Sequence, residues 1–185
     1  MGLIITGGTG NGYSARVNSS NQLDTAATMV TKEHEVNHQD GQAYSMSVSL
    51  TPTAAGNCFM YIKNEGVTDM IVSEMMMYAA TTETFSMKLG DEGTPIGGSP
   101  TTPTNRNAGS GNQADVTALT GADITGLDGG KVVFGFVKEG GTSSERIAPA
   151  TGFIIPKNKV LTVYVASGNI AVNFGLGITF HTEEN

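Results

Sequence analysis

Apolar and polar residues alternate cleanly from Tyr44 onward. Tyr44, Met46, Val48 and Leu50 interleave with Ser45, Ser47 and Ser49, the period-two signature of a half-buried strand, and Thr51-Pro52 ends it. A second strand is predicted over residues 58–62, closed by the turn-prone Asn64-Glu65-Gly66, a third from Met70 to about Tyr78, and a fourth over 85–89. Residues 116–119, 131–138, 147–155, 160–166 and 170–181 read as further strands. Gly129-Gly130, Gly140-Gly141 and Ser167-Gly168-Asn169 supply the turns between them. The run Met75-Met76-Met77 puts methionine on both faces of its strand, so a second sheet or a partner must cover at least one face. Strands of this length without helical crossovers predict an all-β fold, an antiparallel β-sandwich of jelly-roll connectivity, with a closed up-and-down barrel as the alternative.

Two segments break the pattern. Residues 1–42 form a Gly-rich and polar stretch with scattered apolar positions, read as an extended N-terminal arm ahead of a β-sandwich domain at 43–185. Within it, the apolar stripe of a trial helix from Leu23 to His38 stops at Val30, and helical spacing then lands on Glu33, His34 and Asn37; irregular or extended structure is expected. The second segment runs from Gly90 to Asn112 and consists almost wholly of Gly, Pro, Thr, Asn and Ser. A structureless loop of that length in a compact domain is more often a contact element than a connector.

Composition narrows the partners. With 10 Lys plus Arg against 17 Asp plus Glu, the formal net charge of -7 supplies no long-range attraction to nucleic acid or to an anionic membrane, and no run reaches the length of a bilayer helix. Neither partner is predicted. The single cysteine, Cys58, has no internal disulfide partner and reads as a small buried strand residue.

Three motifs suggest chemistry and are read as structural. Thr6-Gly7-Gly8-Thr9-Gly10 resembles a dinucleotide-binding turn, but Tyr13 stands where the last glycine of G-x-G-x-x-G belongs. His34-Glu35-Val36-Asn37-His38 fits the zinc-peptidase pattern HExxH, whose chemistry needs a helix to aim both imidazoles at one metal and a third ligand besides. With no helix expected there and His181 at the far end of the sequence, a zinc metallopeptidase stays a remote alternative. Asp123, Asp128, Gly129 and Gly130 lack the ligand spacing of a calcium loop and read as turn residues. No catalytic residue, metal ligand or cofactor is assigned.

The order of several short blocks is similar to that in small virion structural proteins of tailed bacteriophages. These are Ala15-Arg16-Val17-Asn18; Glu33-His34-Glu35-Val36-Asn37 before Gly41-Gln42-Ala43-Tyr44; Phe59-Met60-Tyr61-Ile62-Lys63-Asn64; Thr94-Pro95-Ile96-Gly97-Gly98; and Pro103-Thr104-Asn105-Arg106-Asn107. The resemblance implies a jelly-roll capsid decoration (cement) protein on the virion surface, grouped as homotrimers and bound to the major capsid protein or another virion protein. A head-fibre, neck or tail-associated receptor- or glycan-binding domain is the alternative. Leu3, Ile4, Ile5, Tyr13 and Val17 in the arm, and Pro103, Asn105 and Arg106 in the long loop, are the expected contact residues.

Overall fold

The computed structural model describes residues 4–6, 12–14, 16–17, 23–24, 32–51, 58–141, 143–147, 152–168 and 174–183. The chain divides into two units, Met1–Thr31 and Lys32–Asn185. In the first, β1 (Ile4–Thr6) pairs antiparallel with β2 (Gly12–Ser14), and β3 (Arg16–Val17) with β4 (Leu23–Asp24). A dinucleotide-binding turn leads from a strand into a helix. Here β1 is followed by a strand that pairs back on it, which removes that reading.

The second unit opens on α1 (Lys32–Gln39) and continues through β5 (Ala43–Leu50), β6 (Cys58–Asn64), β7 (Asp69–Ala79) and β8 (Glu83–Leu89). Four strands follow as an excursion, β9 (Glu92–Ile96), β10 (Ser99–Pro100), β11 (Thr104–Asn105) and β12 (Val116–Asp128). The chain closes with β13 (Lys131–Lys138), β14 (Glu145–Ile147), β15 (Phe153–Ile155), β16 (Val160–Gly168) and β17 (Phe174–Glu183). One sheet has the order β10-β12-β6-β16-β8-β13, with β9 paired to β12. The other runs β11-β5-β17-β7, with β14 and β15 both on the far side of β7. Every pairing is antiparallel. The fold is therefore an antiparallel β-sandwich, as the alternation predicts. Strands β5 to β8, and again β16 and β17, alternate between the sheets, with β5, β7 and β17 in one and β6, β8 and β16 in the other, whereas the long β12 and β13 both join the sheet of β8.

The inward face of each strand supplies the core. Met75 and Met77 are fully buried, whereas Met76 between them is 46% exposed, so the methionine run resolves into two core residues and one on the outer face. Phe59 of β6 meets Phe174 of β17 edge-on at 4.4 Å between ring centroids. Phe85 of β8 packs against both, at 6.1 and 5.8 Å, and joins the two sheets through aromatic contacts.

Three sequence expectations are corrected. The segment read as irregular holds α1, whose eight residues include one apolar side chain, Val36; a single inward contact leaves no stripe for periodicity to detect. Glu33 and Glu35 in its first turn and His38 in its last suit the helix dipole, while contacts with β5 and β17 hold it on the sandwich. The 90–112 segment is not structureless, since it holds β9, β10 and β11, which pair with β12 and β5. The strand expected over 147–155 appears as β14 and β15, with residues 148–151 outside the described ones.

The excursion adds a third layer. After a register shift between Thr120 and Ile124, β12 leaves β6 and pairs with β9. This brings Ile124 and Leu127 onto a second apolar cluster, Cys58, Tyr61, Val160 and Tyr164, on the outer face of β6 and β16. Two backbones come close enough here to require glycine: a Cβ on Gly121 would lie 2.7 Å from Gly98 Cα.

Candidate interaction surface

The loop that carries Pro103, Asn105 and Arg106 crosses from one sheet to the other, pairing with β12 through β10 and with β5 through β11. It is fastened by side-chain amides. Asn105 Nδ2 donates to the backbone oxygens of Gly41 (2.7 Å) and Asn112 (2.9 Å), and Asn105 Oδ1 accepts from the Asn107 N–H at 2.8 Å. Asn107 Nδ2 donates to Asn37 O (2.9 Å) and Asn112 Nδ2 to Asp40 O (2.7 Å). The last carbonyls of a helix have no intrahelical donor. Two asparagines of the loop thus satisfy backbone oxygens at and just beyond the end of α1, and the Arg106 guanidinium pairs with Glu33 on the same helix. The turn between them needs glycine. Gly41 has φ +60°, and a Cβ there would collide with the Ser110 side chain.

This geometry redistributes the predicted contact residues. Pro103 is buried within its own protomer, and the amide of Asn105 is taken up by backbone oxygens of Gly41, just beyond α1, and Asn112 of the loop. Within this chain both organise the loop. Arg106 remains exposed. In the N-terminal unit, Ile4 and Ile5 lie in β1, Tyr13 in β2 opposite Ile5, and Val17 in β3 opposite Leu23. Leu3 falls outside the described residues. Sequence reasoning missed Asn107, Ser110 and Asn112. The signal was present as a clustering of asparagines with a serine, residue types that close turns through their side chains. Asn105→Ala is expected to lower stability by about 1–3 kcal/mol, because it strands two backbone acceptors and one donor. Urea unfolding checks this, with an unchanged midpoint as the contrary result.

Helix α1 removes one objection to the zinc-peptidase pattern and leaves another. His34 and His38 do lie on one helical face, with ring centroids 6.2 Å apart. Both rings are exposed, whereas His181 is buried on β17, the strand against which α1 packs. Among the described residues no three of His, Cys, Asp and Glu come together to hold a metal ion. The donor set therefore does not fit a catalytic zinc, which takes three protein ligands and keeps an open position.

The most concentrated buried polar group is Asp91, 1% exposed at the end of β8. It accepts hydrogen bonds from the Tyr164 hydroxyl, from Thr162 Oγ1 at 3.0 Å and from the Gly130 N–H at 3.2 Å. Burial, and then the bond to Asp91, raise the Tyr164 hydroxyl well above its ordinary pKa, and Lys88 Nζ sits 4.0 Å above the ring. With Gly130 at the turn between β12 and β13, the carboxylate ties the excursion to the sandwich. This is a structural network.

A groove on the outer face of β5, β17 and β7 is lined by Ser45, Ser47, Thr104, Gly177 and Thr179, with Glu74 and Met76 at its side. No aromatic ring lines it, and Tyr44, Tyr61 and Tyr164 are buried. The stacking platform that a glycan site uses is missing from this groove. In comparisons with known proteins, the sequence matches no family model and no curated relative.

Proposed function

We propose that this chain is a structural protein of a tailed-bacteriophage virion, acting as a capsid decoration or cement protein on the assembled head. The observation that carries the reading is the division of the chain at Thr31. A short leading unit of small hairpins precedes a body with its own closed apolar core. The alternation of β5 to β8 and of β16 and β17 between sheets, which we read as a jelly roll, supports this reading, together with the resemblance of short sequence blocks to those of such proteins.

In this account the sandwich is a rigid body. The leading unit lies across the major capsid protein or another virion protein and across sister copies grouped as homotrimers. Leu3, Ile4, Ile5, Tyr13 and Val17 supply apolar and backbone contacts, and Arg106 a charged one. Each contact is modest, since apolar burial contributes roughly 25 cal/mol per Å². Repetition over a lattice makes their sum effective through high local concentration. Deleting residues 1–20 is expected to leave a sandwich that melts cooperatively and no longer co-sediments with heads. Undiminished occupancy of the truncated chain on particles would count against the proposal.

A further inference from the structure

The edges of the two sheets are not alike. Three are blunt: beside β12 the edge is broken at Gly97-Gly98 into the five-residue β9, which holds Pro95, and the two-residue β10, which ends in Pro100; β11 has two residues just after the buried Pro103; and the far side of β7 is occupied by two three-residue strands. Short edges and proline are the devices by which proteins keep a sheet from recruiting another chain. The fourth edge, β13, is eight residues long, and among the described residues only β8 pairs with it. Phe134 and Phe136 pack against the core, while Val132, Val133 and Val137 are 60%, 41% and 58% exposed. A register shift between Val132 and Phe134 bulges one end, leaving Phe134 to Lys138 in regular pairing with β8.

The sequence of this edge is also self-complementary. Val133-Phe134-Gly135-Phe136-Val137 reads the same in both directions. A second copy laid antiparallel along β13, with a two-fold axis through Gly135, sets Phe134 opposite Phe136 in the regular stretch, brings Val133 at the bulge against Val137, and places Val132 against Lys138 and Lys131 against Glu139 of the second copy. Apolar residues then meet apolar ones at the centre, Val132 faces Lys138 next to them, and the opposite charges of Lys131 and Glu139 meet one step beyond, a pairing favourable across antiparallel strands. An isologous contact requires this kind of self-matching patch.

We propose that β13 is the strand through which two copies of this chain join edge to edge, in antiparallel two-fold pairing that makes their sheets continuous. The pairing gives the edge N–H and C=O groups of β13 partners and sets Val133 and Val137 of the two copies side by side across the seam. It concerns the free chain in solution and stands or falls separately from attachment to a virion.

Analytical ultracentrifugation of the full chain tests it. The wild type should sediment at twice the 19.2 kDa of one copy, or at six copies where trimers also form. V133K/V137K, which sets lysines opposite one another at both crossings, should lose the two-fold contact while keeping the wild-type circular dichroism. Gly135→Cys supplies a second reading that survives a folding defect in the double variant. A Cβ at Gly135 meets only Phe85 O at 3.7 Å, and directly opposed strand residues lie at disulfide distance. Cys58 is fully buried and gives no background. Mild oxidation should convert Gly135→Cys, and not the wild type, to a disulfide-linked dimer. A wild type that remains a single copy or a simple trimer overturns the proposal, as does a Gly135→Cys chain that stays unlinked.

Discussion

Replacing Phe59 by alanine is expected to destabilise the sandwich by about 3–5 kcal/mol, as is usual for removing a buried phenylalanine from a packed core. The size follows from the position of the ring. Phe59 is 1% exposed, and its contacts reach Phe85 in its own sheet and Phe174 in the opposite one. Truncation therefore removes the apolar burial and two edge-on aromatic contacts, and leaves a cavity between sheets whose strands cannot close on it without shifting their registers. Phe59→Leu keeps much of the volume and should cost well under half as much. Urea unfolding of the three proteins gives the comparison directly; equal midpoints for alanine and leucine would show that the site is not packed as described.

The second large effect is a loss of stability in alkali centred on Cys58. Burial pushes this thiol from its ordinary value of 9.0 up to about 12. Below pH 9 both folded and unfolded chains hold the proton, and the contribution to stability is fully present. Between pH 9 and pH 12 the unfolded chain releases the proton while the folded chain keeps it. The folded state then binds more protons, and stability falls as pH rises. At 1.36 kcal/mol per pH unit the decline is about 3 kcal/mol by pH 11. The raised Tyr164 hydroxyl adds in the same direction above its ordinary value of 10.0. Cys58→Ala should flatten the decline between pH 9 and pH 10, before Tyr164 contributes. Parallel profiles for the variant and the wild type would assign the alkaline loss to other groups.

What the sequence discloses depends on where each signal is stored. Strands β5, β6, β7, β8, β13 and β16 are visible because each buries a face against the opposite sheet, and burial imposes alternation or an apolar run on the sequence itself. Helix α1 is hidden because Val36 is its single buried residue, and what fixes it besides β5 lies far along the chain, in β17 and in Asn107, 70 residues beyond Asn37. Strands β9 to β11 are hidden for a related reason: their extended form is set by pairing to β12 and β5, and their Gly, Pro and Thr residues carry no period. The Asp91 network joins residues more than 30 positions apart, and nothing local marks it. The loop surface was legible as a place and not as a role, since asparagines that look available for a partner in sequence turn out to be committed to their own backbone. For β13 the apolar run and its two-way symmetry are present in the sequence, but its position at an open edge follows only from the order of strands.

The central claim is that this protein works through surfaces presented to neighbouring molecules on a particle. Electron cryomicroscopy of tailed-phage heads assembled in the presence of the chain tests it most directly. The account predicts density for the sandwich repeated over the outside of the head, with the leading unit of each copy resting on adjacent subunits. Heads whose outer surface lacks the sandwich, or copies whose leading unit touches no neighbour, would contradict it.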